Sequence, residues 1–326
     1  MLYKKDFPFA TGWSLEIDLV SDLQEVLYKR MIAEGLKNVD KERALFQYFN
    51  TDKRFIRCTP RKVYRSKEFT CPEGYEKALE NFVAKVERGE NLTPFLSTTV
   101  KDASFNDGLL NDWNIHHFHL TNRFNEDGTA KRSDYEIFAY VTDTDMYMIQ
   151  VYLHKDQLNY WHKEMIAIIY SNWPELIEKY RLKDVRCTTE RLDDEGHKAI
   201  RNSHITTPIE LDENRVFARI GGGYTADGSS AEAMRLADRW HNQLRLIQIL
   251  IADNMDDLSE AITQVSGINT DMYDIKLLWI EGNTEFTFGD RNHQVIVQLN
   301  VKESRWRVCK PIDVFGFDFV YRTIDA

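Results

Sequence analysis

Apolar positions recur every three to four residues in four stretches of the chain and every second residue in several others, which predicts a mixture of helices and strands. Residues 13–35 put Leu19, Leu23, Val26, Leu27 and Ile32 on roughly one helical face. Residues 74–89 do the same with Leu79, Phe82, Val83 and Val86, and Gly89 closes that helix. A third helical stretch, 160–180, is divided near Pro174, which has no N–H for a helix interior. The clearest helix is 230–253, where Leu236, Trp240, Leu244, Ile247 and Ile251 form one stripe.

Alternation takes over in "YEIFAYVTDTDMYMIQVYLHKD". Ile137, Ala139 and Val141 alternate with Phe138 and Tyr140. "TDTD" makes a turn, and Tyr147, Ile149, Val151 and Leu153 alternate on the return. Strict alternation places His154 with Met148, Gln150 and Tyr152 on the opposite face. "RVFARI" reads as a further strand, and "KLLWIEGNTEFTF" with "HQVIVQLNVKESRWRVC" as a closing antiparallel meander. The fold class is α+β. Helices pack on a small antiparallel sheet in residues 1–187, and a long helix covers a β meander in residues 188–326. The polar run at 184–202 marks the boundary.

Lys and Arg total 42 against 52 Asp and Glu, a net charge of −10. The acid excess falls mainly in the C-terminal part, so an anionic substrate favours the N-terminal part. The start of the chain has no long apolar run, so neither a signal peptide nor a membrane helix is expected. The four cysteines are scattered without a C-x-x-C pair, which fits reduced thiols in the cytoplasm and no membrane partner.

Candidate chemistry begins at "NIHHFHL", where three of the nine histidines occupy four positions. On a strand, His117 and His119 share a face with Ile115, while His116 joins Phe118 and Leu120 on the core side. Imidazoles at i and i+2 stand about 7 Å apart. That spacing suits an acid and a base flanking one phosphate. It also suits two metal ligands completed by a carboxylate such as Asp107 or Asp112. Plain hydrogen bonding on a solvent face is the structural alternative, and helix capping is that for the two aspartates.

A strand followed by a hairpin that ends in "LHK" and leads into a helix resembles the RelE/HigB-type bacterial ribonuclease toxins over residues 111–165. The resemblance implies a compact antiparallel sheet. It also implies metal-free RNA cleavage in which the 2′-hydroxyl attacks its own phosphate. Residue by residue, His154 and Lys155 match the family's strand-end pattern; His117 and His119 lie outside it. Such chemistry needs a proton acceptor, a proton donor and a cation, which His117 or His119, His154, and Lys155 or Arg123 can supply.

"KRFIRCTPRKVYRSK", residues 53–67, holds seven basic residues and no acid. Arg57, Arg61, Lys62, Tyr64 and Arg65 make it a candidate rail for nucleic acid, with a charge-guarded edge strand as the alternative. The Gly221–Gly228 turn before the long helix has the layout of a phosphate loop but lacks its register. A turn closed by a capping box of Ser229 and Glu232 explains it more simply.

Three functions follow from these residues. The first is a metal-independent endoribonuclease acting as a toxin or phage-defence effector on RNA. It needs no cofactor, and its catalytic residues are His117, His119, His154 and Lys155. The second is a metal-dependent nuclease or phosphohydrolase with His117, His119 and Asp112 as ligands. The third is a binding module of a defence system that engages a protein partner such as an antitoxin or another subunit.

Overall fold

A computed structural model describes residues 13–154, 160, 162–185, 193–212 and 214–310. In chain order, β1 (Ser14–Ile17) and α1 (Leu19–Ala33) precede α2 (Ala44–Asp52), β2 (Lys62–Arg65), α3 (Glu76–Arg88) and α4 (Gly108–Trp113). Then come β3 (Ile115–His119), β4 (Tyr135–Val141), β5 (Asp145–Leu153), α5 (Glu164–Asn172), α6 (Glu175–Glu178) and α7 (Asp194–Asn202). They are followed by β6 (Ile209–Asp212), β7 (Arg215–Phe217), α8 (Ala231–Asp253) and α9 (Met255–Ser266). The described chain closes with β8 (Met272–Glu281), β9 (Glu285–Asp290), β10 (Val295–Asn300) and β11 (Arg305–Cys309). The class is α+β with an antiparallel meander.

Two compact units form. One gathers the described residues up to 34, residues 39–46 and those from 236 onward. The other gathers residues 35–38 and 47–235. This division differs from a sequential one at 187. Its physical cause is that β1 pairs in parallel with β8, giving the sheet order β1-β8-β9-β10-β11. The expected helix over 13–35 is therefore a strand followed by a helix, with Asp18 between them accepting a hydrogen bond from the Ser21 N–H. On α1, Met31 completes the buried stripe and Ile32 is exposed.

The other unit is built on a four-stranded sheet of order β2-β5-β4-β3. It is mixed rather than antiparallel, because β2 runs parallel to β5. One face is covered by α3, whose Leu79, Phe82 and Val86 pack with Phe118, Ile137 and Met148. The other face, carrying Ile115, Phe138 and Ile149, packs with Ile166 and Ile169 of α5 and Ile177 of α6. Full burial of each such side chain contributes about 1.5–3 kcal/mol, so both faces are strongly held. Helix α3 ends as expected, at Gly89 with φ 68°.

The β4–β5 hairpin has one irregularity. Phe138 pairs with Gln150 while Ala139 pairs with Met148, which leaves Ile149 as an extra residue in β5. Strict alternation fails there. Met146 and Met148 face the α3 side, as does Val151, whereas Ile149 and Tyr152 face the other. A bulge of this kind re-aims every side chain beyond it. Tyr152, paired with Glu136, therefore lies on the face of Phe138.

Candidate functional site

Glu136 is the one acid inside the otherwise apolar strand β4, and its side chain is 1% exposed. Burying a carboxylate is costly unless donors or cations satisfy it. Here the Tyr160 hydroxyl donates to Oε2 at 2.7 Å. On the other oxygen, Oε1, His154 Nδ1 stands at 3.0 Å and His119 Nδ1 at 3.5 Å. Both Nδ1 atoms are buried and neither is aligned as a hydrogen bond. The two imidazoles meet edge to face, with ring centroids 5.5 Å apart. Arg132, exposed on the loop between β3 and β4, donates from Nε to His154 Nε2 at 2.9 Å.

Three strands position these groups. His119 pairs with Glu136 across β3 and β4, Glu136 pairs with Tyr152 across β4 and β5, and His154 follows β5. Strict alternation from Met148 through Ile149 would put His154 on the α3 face; because Ile149 is left unpaired, His154 falls on the face of His119 instead. Burial works to raise the Glu136 carboxyl. The charges of His117 and His154 and the hydrogen bond from Tyr160 outweigh it, and the group sits below its ordinary range. His119 is held below its ordinary value by burial, against the opposing pull of Glu136. His119 Nδ1, His154 Nδ1 and a Glu136 oxygen converge closely enough to share one cation, since the ligand atoms of the three residues lie within 4.8 Å of one another.

His117 is on the same face. Its ring lies 5.1 Å from that of Tyr160 and 6.1 Å from that of Phe138, and its buried Nδ1 has no hydrogen-bond partner. His116, on the α3 face, stacks near Phe118, and burial lowers its imidazole to about 4. Lys155 lies outside the described residues. Asp107 caps α4 by accepting from the Leu110 N–H. Asp112 is remote from the imidazoles in function: it is buried in ion pairs with Arg201, at 2.7 Å, and with Arg219. Asp112 is thus not brought to His117 and His119 as a third ligand; the acid whose oxygen lies among the imidazole nitrogens is Glu136, with His119 and His154.

The basic stretch is not brought to this cluster. Arg65 of β2 pairs with Met148, six residues before His154, which is about 20 Å along a strand. Arg61 is buried and donates to the carbonyls of Thr142, Arg57 and Thr59, so it is structural. Lys62 and Arg65 are exposed on β2 and Arg57 precedes them; Tyr64 stacks on Tyr147 at 5.1 Å. Arg123, by contrast, lies exposed on the β3–β4 loop, where its carbonyl accepts from the Lys131 N–H; the next residue, Arg132, reaches His154.

The glycine turn is a packing device. The Gly221 N–H donates to the Asp112 carbonyl and the Gly223 N–H to the Asn111 carbonyl. A Cβ on Gly221 would stand 2.1 Å from the Leu110 carbonyl oxygen, so only glycine allows this approach to α4. The cap of α8 is Ser230, which accepts from the Ala233 N–H, rather than Ser229.

Glu136, Tyr160 and Arg132 were not singled out by sequence reasoning. The available signal for Glu136 was a lone acid within "YEIFAYV", a position where a charge is retained only with partners. No family model matches the chain, and no curated protein or solved structure matches it.

Proposed function

We propose that this protein is a nuclease that cleaves RNA phosphodiesters at the centre formed by His119, Glu136 and His154. The carrying observation is the position of that centre. The imidazoles of His119 and His154 are 13% and 17% exposed above the buried Glu136. Beside them the β3–β4 loop presents the exposed cations Arg123, Lys131 and Arg132. In a chain of net charge −10, three exposed cations on a loop that reaches the imidazoles through Arg132 favour a polyanion there over the rest of the surface.

In this reading the loop cations hold the phosphates that flank the scissile bond, and the centre acts on that bond. Glu136 fixes the orientation of both imidazoles, and Tyr160 fixes Glu136. The resemblance of residues 111–165 to the RelE/HigB-type toxins supports RNA as substrate, through the strand end at His154. The exposed Arg57, Lys62, Tyr64 and Arg65 then serve as a distal contact for a longer strand.

The test is cleavage of end-labelled single-stranded RNA by the full chain and by Glu136→Gln and Arg123→Ala/Lys131→Ala variants. Cleavage lost in the first and weakened in the second, with stronger salt sensitivity in the wild type, is the expected result. Equal cleavage by all three proteins would overturn the assignment.

A further inference from the structure

We propose that His119, Glu136 and His154 form a mononuclear site for a divalent transition-metal ion of the zinc class. The inference deepens the nuclease reading, since it names the cofactor of the same centre, yet the ion's binding is measurable without any cleavage. Four observations carry it.

The first is spacing. A four-coordinate ion with bonds of about 2.0–2.1 Å separates its ligand atoms by about 3.3 Å. His154 Nδ1 and His119 Nδ1 lie 3.0 and 3.5 Å from the same Glu136 oxygen, on either side of that value. The second is direction. Both Nδ1 atoms are buried and point toward Glu136 without hydrogen-bond alignment. Two imidazole nitrogens and a carboxylate oxygen aimed at a common point make poor hydrogen bonds and good ligands.

The third is the outer support. The second oxygen of Glu136 accepts from the Tyr160 hydroxyl at 2.7 Å. Ligating carboxylates commonly have such a partner, which leaves the first oxygen turned toward the ion. The fourth is accessibility. The buried carboxylate forms the floor and the part-exposed imidazoles form the rim, so the remaining coordination position faces outward, beside the loop cations. Two imidazoles in a set of three favour zinc, cobalt or nickel over magnesium or calcium, which prefer oxygen ligands. When bound, such an ion supplies a Lewis acid for a phosphoryl oxygen and an acidified water.

Arg132 Nε–H donates to His154 Nε2, so a neutral His154 imidazole carries its proton on Nδ1. Loading the site through Nδ1 moves that proton to Nε2, which then no longer accepts, so Arg132 must turn away. The side chain is exposed and free to do so.

The experiment is titration of the metal-stripped full chain with Zn²⁺ against a chromophoric chelator, with a Co²⁺ absorption spectrum as a second readout. One ion per chain is expected, with Co²⁺ bands of a site containing nitrogen ligands. Affinity should fall by at least about 100-fold in His154→Ala and in Glu136→Gln, beyond what loss of an outer partner produces. His154 lies at a strand end, and circular dichroism verifies that its variant folds. Absence of stoichiometric binding by the wild type, or equal binding by wild type and His154→Ala, would overturn the site. Binding without RNA cleavage would leave the site standing and remove the nuclease reading. Cleavage that persists in EDTA with no ion bound would remove the site and leave the nuclease reading.

Discussion

Replacing Tyr160 by Phe removes a single oxygen from the outer support of the proposed centre. The ring keeps its neighbours, since its packing lies 5.8 Å from Phe138 and 5.1 Å from His117, centroid to centroid. What is lost is a hydrogen bond of 2.7 Å to a buried carboxylate. A hydrogen bond to a charged group contributes about 1.5–3 kcal/mol. If that energy serves to hold Glu136 in its ligating pose, the loss converts to about 10- to 150-fold in affinity. Independent experience with outer-shell partners of metal ligands gives about 10- to 100-fold. The two ranges overlap, so a 10- to 100-fold rise in the Zn²⁺ Kd is expected for Tyr160→Phe. The assay is chelator competition at one fixed pH, with near-UV circular dichroism to show intact packing. A Kd within twofold of the wild type, in a folded variant, would refute the reasoning. Tyr160 would then only fill space, and Glu136 would hold its pose without it.

Two further outcomes follow from the geometry. Arg132→Gln removes the donor that competes for His154, so Zn²⁺ should bind tighter by about 2- to 10-fold, the worth of one solvent-screened hydrogen bond; weaker binding in that titration would show that Arg132 supports the site instead. His197, buried against Trp113, is held down to about 4 by burial, with Lys163 and Arg219 adding to the effect. The unfolded chain takes up this proton near 6.5 and the folded one near 4, so stability is complete above about 6.5. It falls by up to about 3 kcal/mol as pH drops to 4. Urea unfolding of wild type and His197→Gln over that pH range should show the variant with the shallower slope, and parallel slopes would remove His197 as the source.

Much of the fold is legible in the sequence because local signals and burial agree there. Helix α3 shows its stripe and its Gly89 stop, the break between α5 and α6 shows in Pro174, and the closing meander shows in its alternation. The pairing of β1 with β8 is not legible. Ser14–Ile17 has the same apolar content whether it continues α1 or joins a sheet more than 250 residues away, and only the distant partner decides. The candidate site was half legible. His117 and His119 fall on one face by simple alternation, and the structure places them there. His154 reaches that face through the extra residue at Ile149, which no period in β5 announces. Glu136 and Tyr160 were hidden for opposite reasons: one is a lone acid in an apolar run, the other an aromatic in a segment rich in them. Asp112 looked like a ligand because it sits near the histidines in sequence. Its true partners come from far along the chain: Arg201 lies in α7, beyond three strands and two helices, and Arg219 follows β7.

The extra residue in β5 has a consequence for how such a centre can arise or vanish. Side chains on either side of it obey the same alternation with opposite sign. The unpaired Ile149 absorbs one residue at a single point, so its deletion would straighten β5 with Met148 still on the α3 face and His154 still beside His119. A residue gained or lost beyond the bulge, between Val151 and His154, has no such outlet and would turn His154 toward the apolar core. Chemistry in this sheet is thus gated by the count of residues beyond the bulge, and a single genetic step there would remove it without changing the architecture.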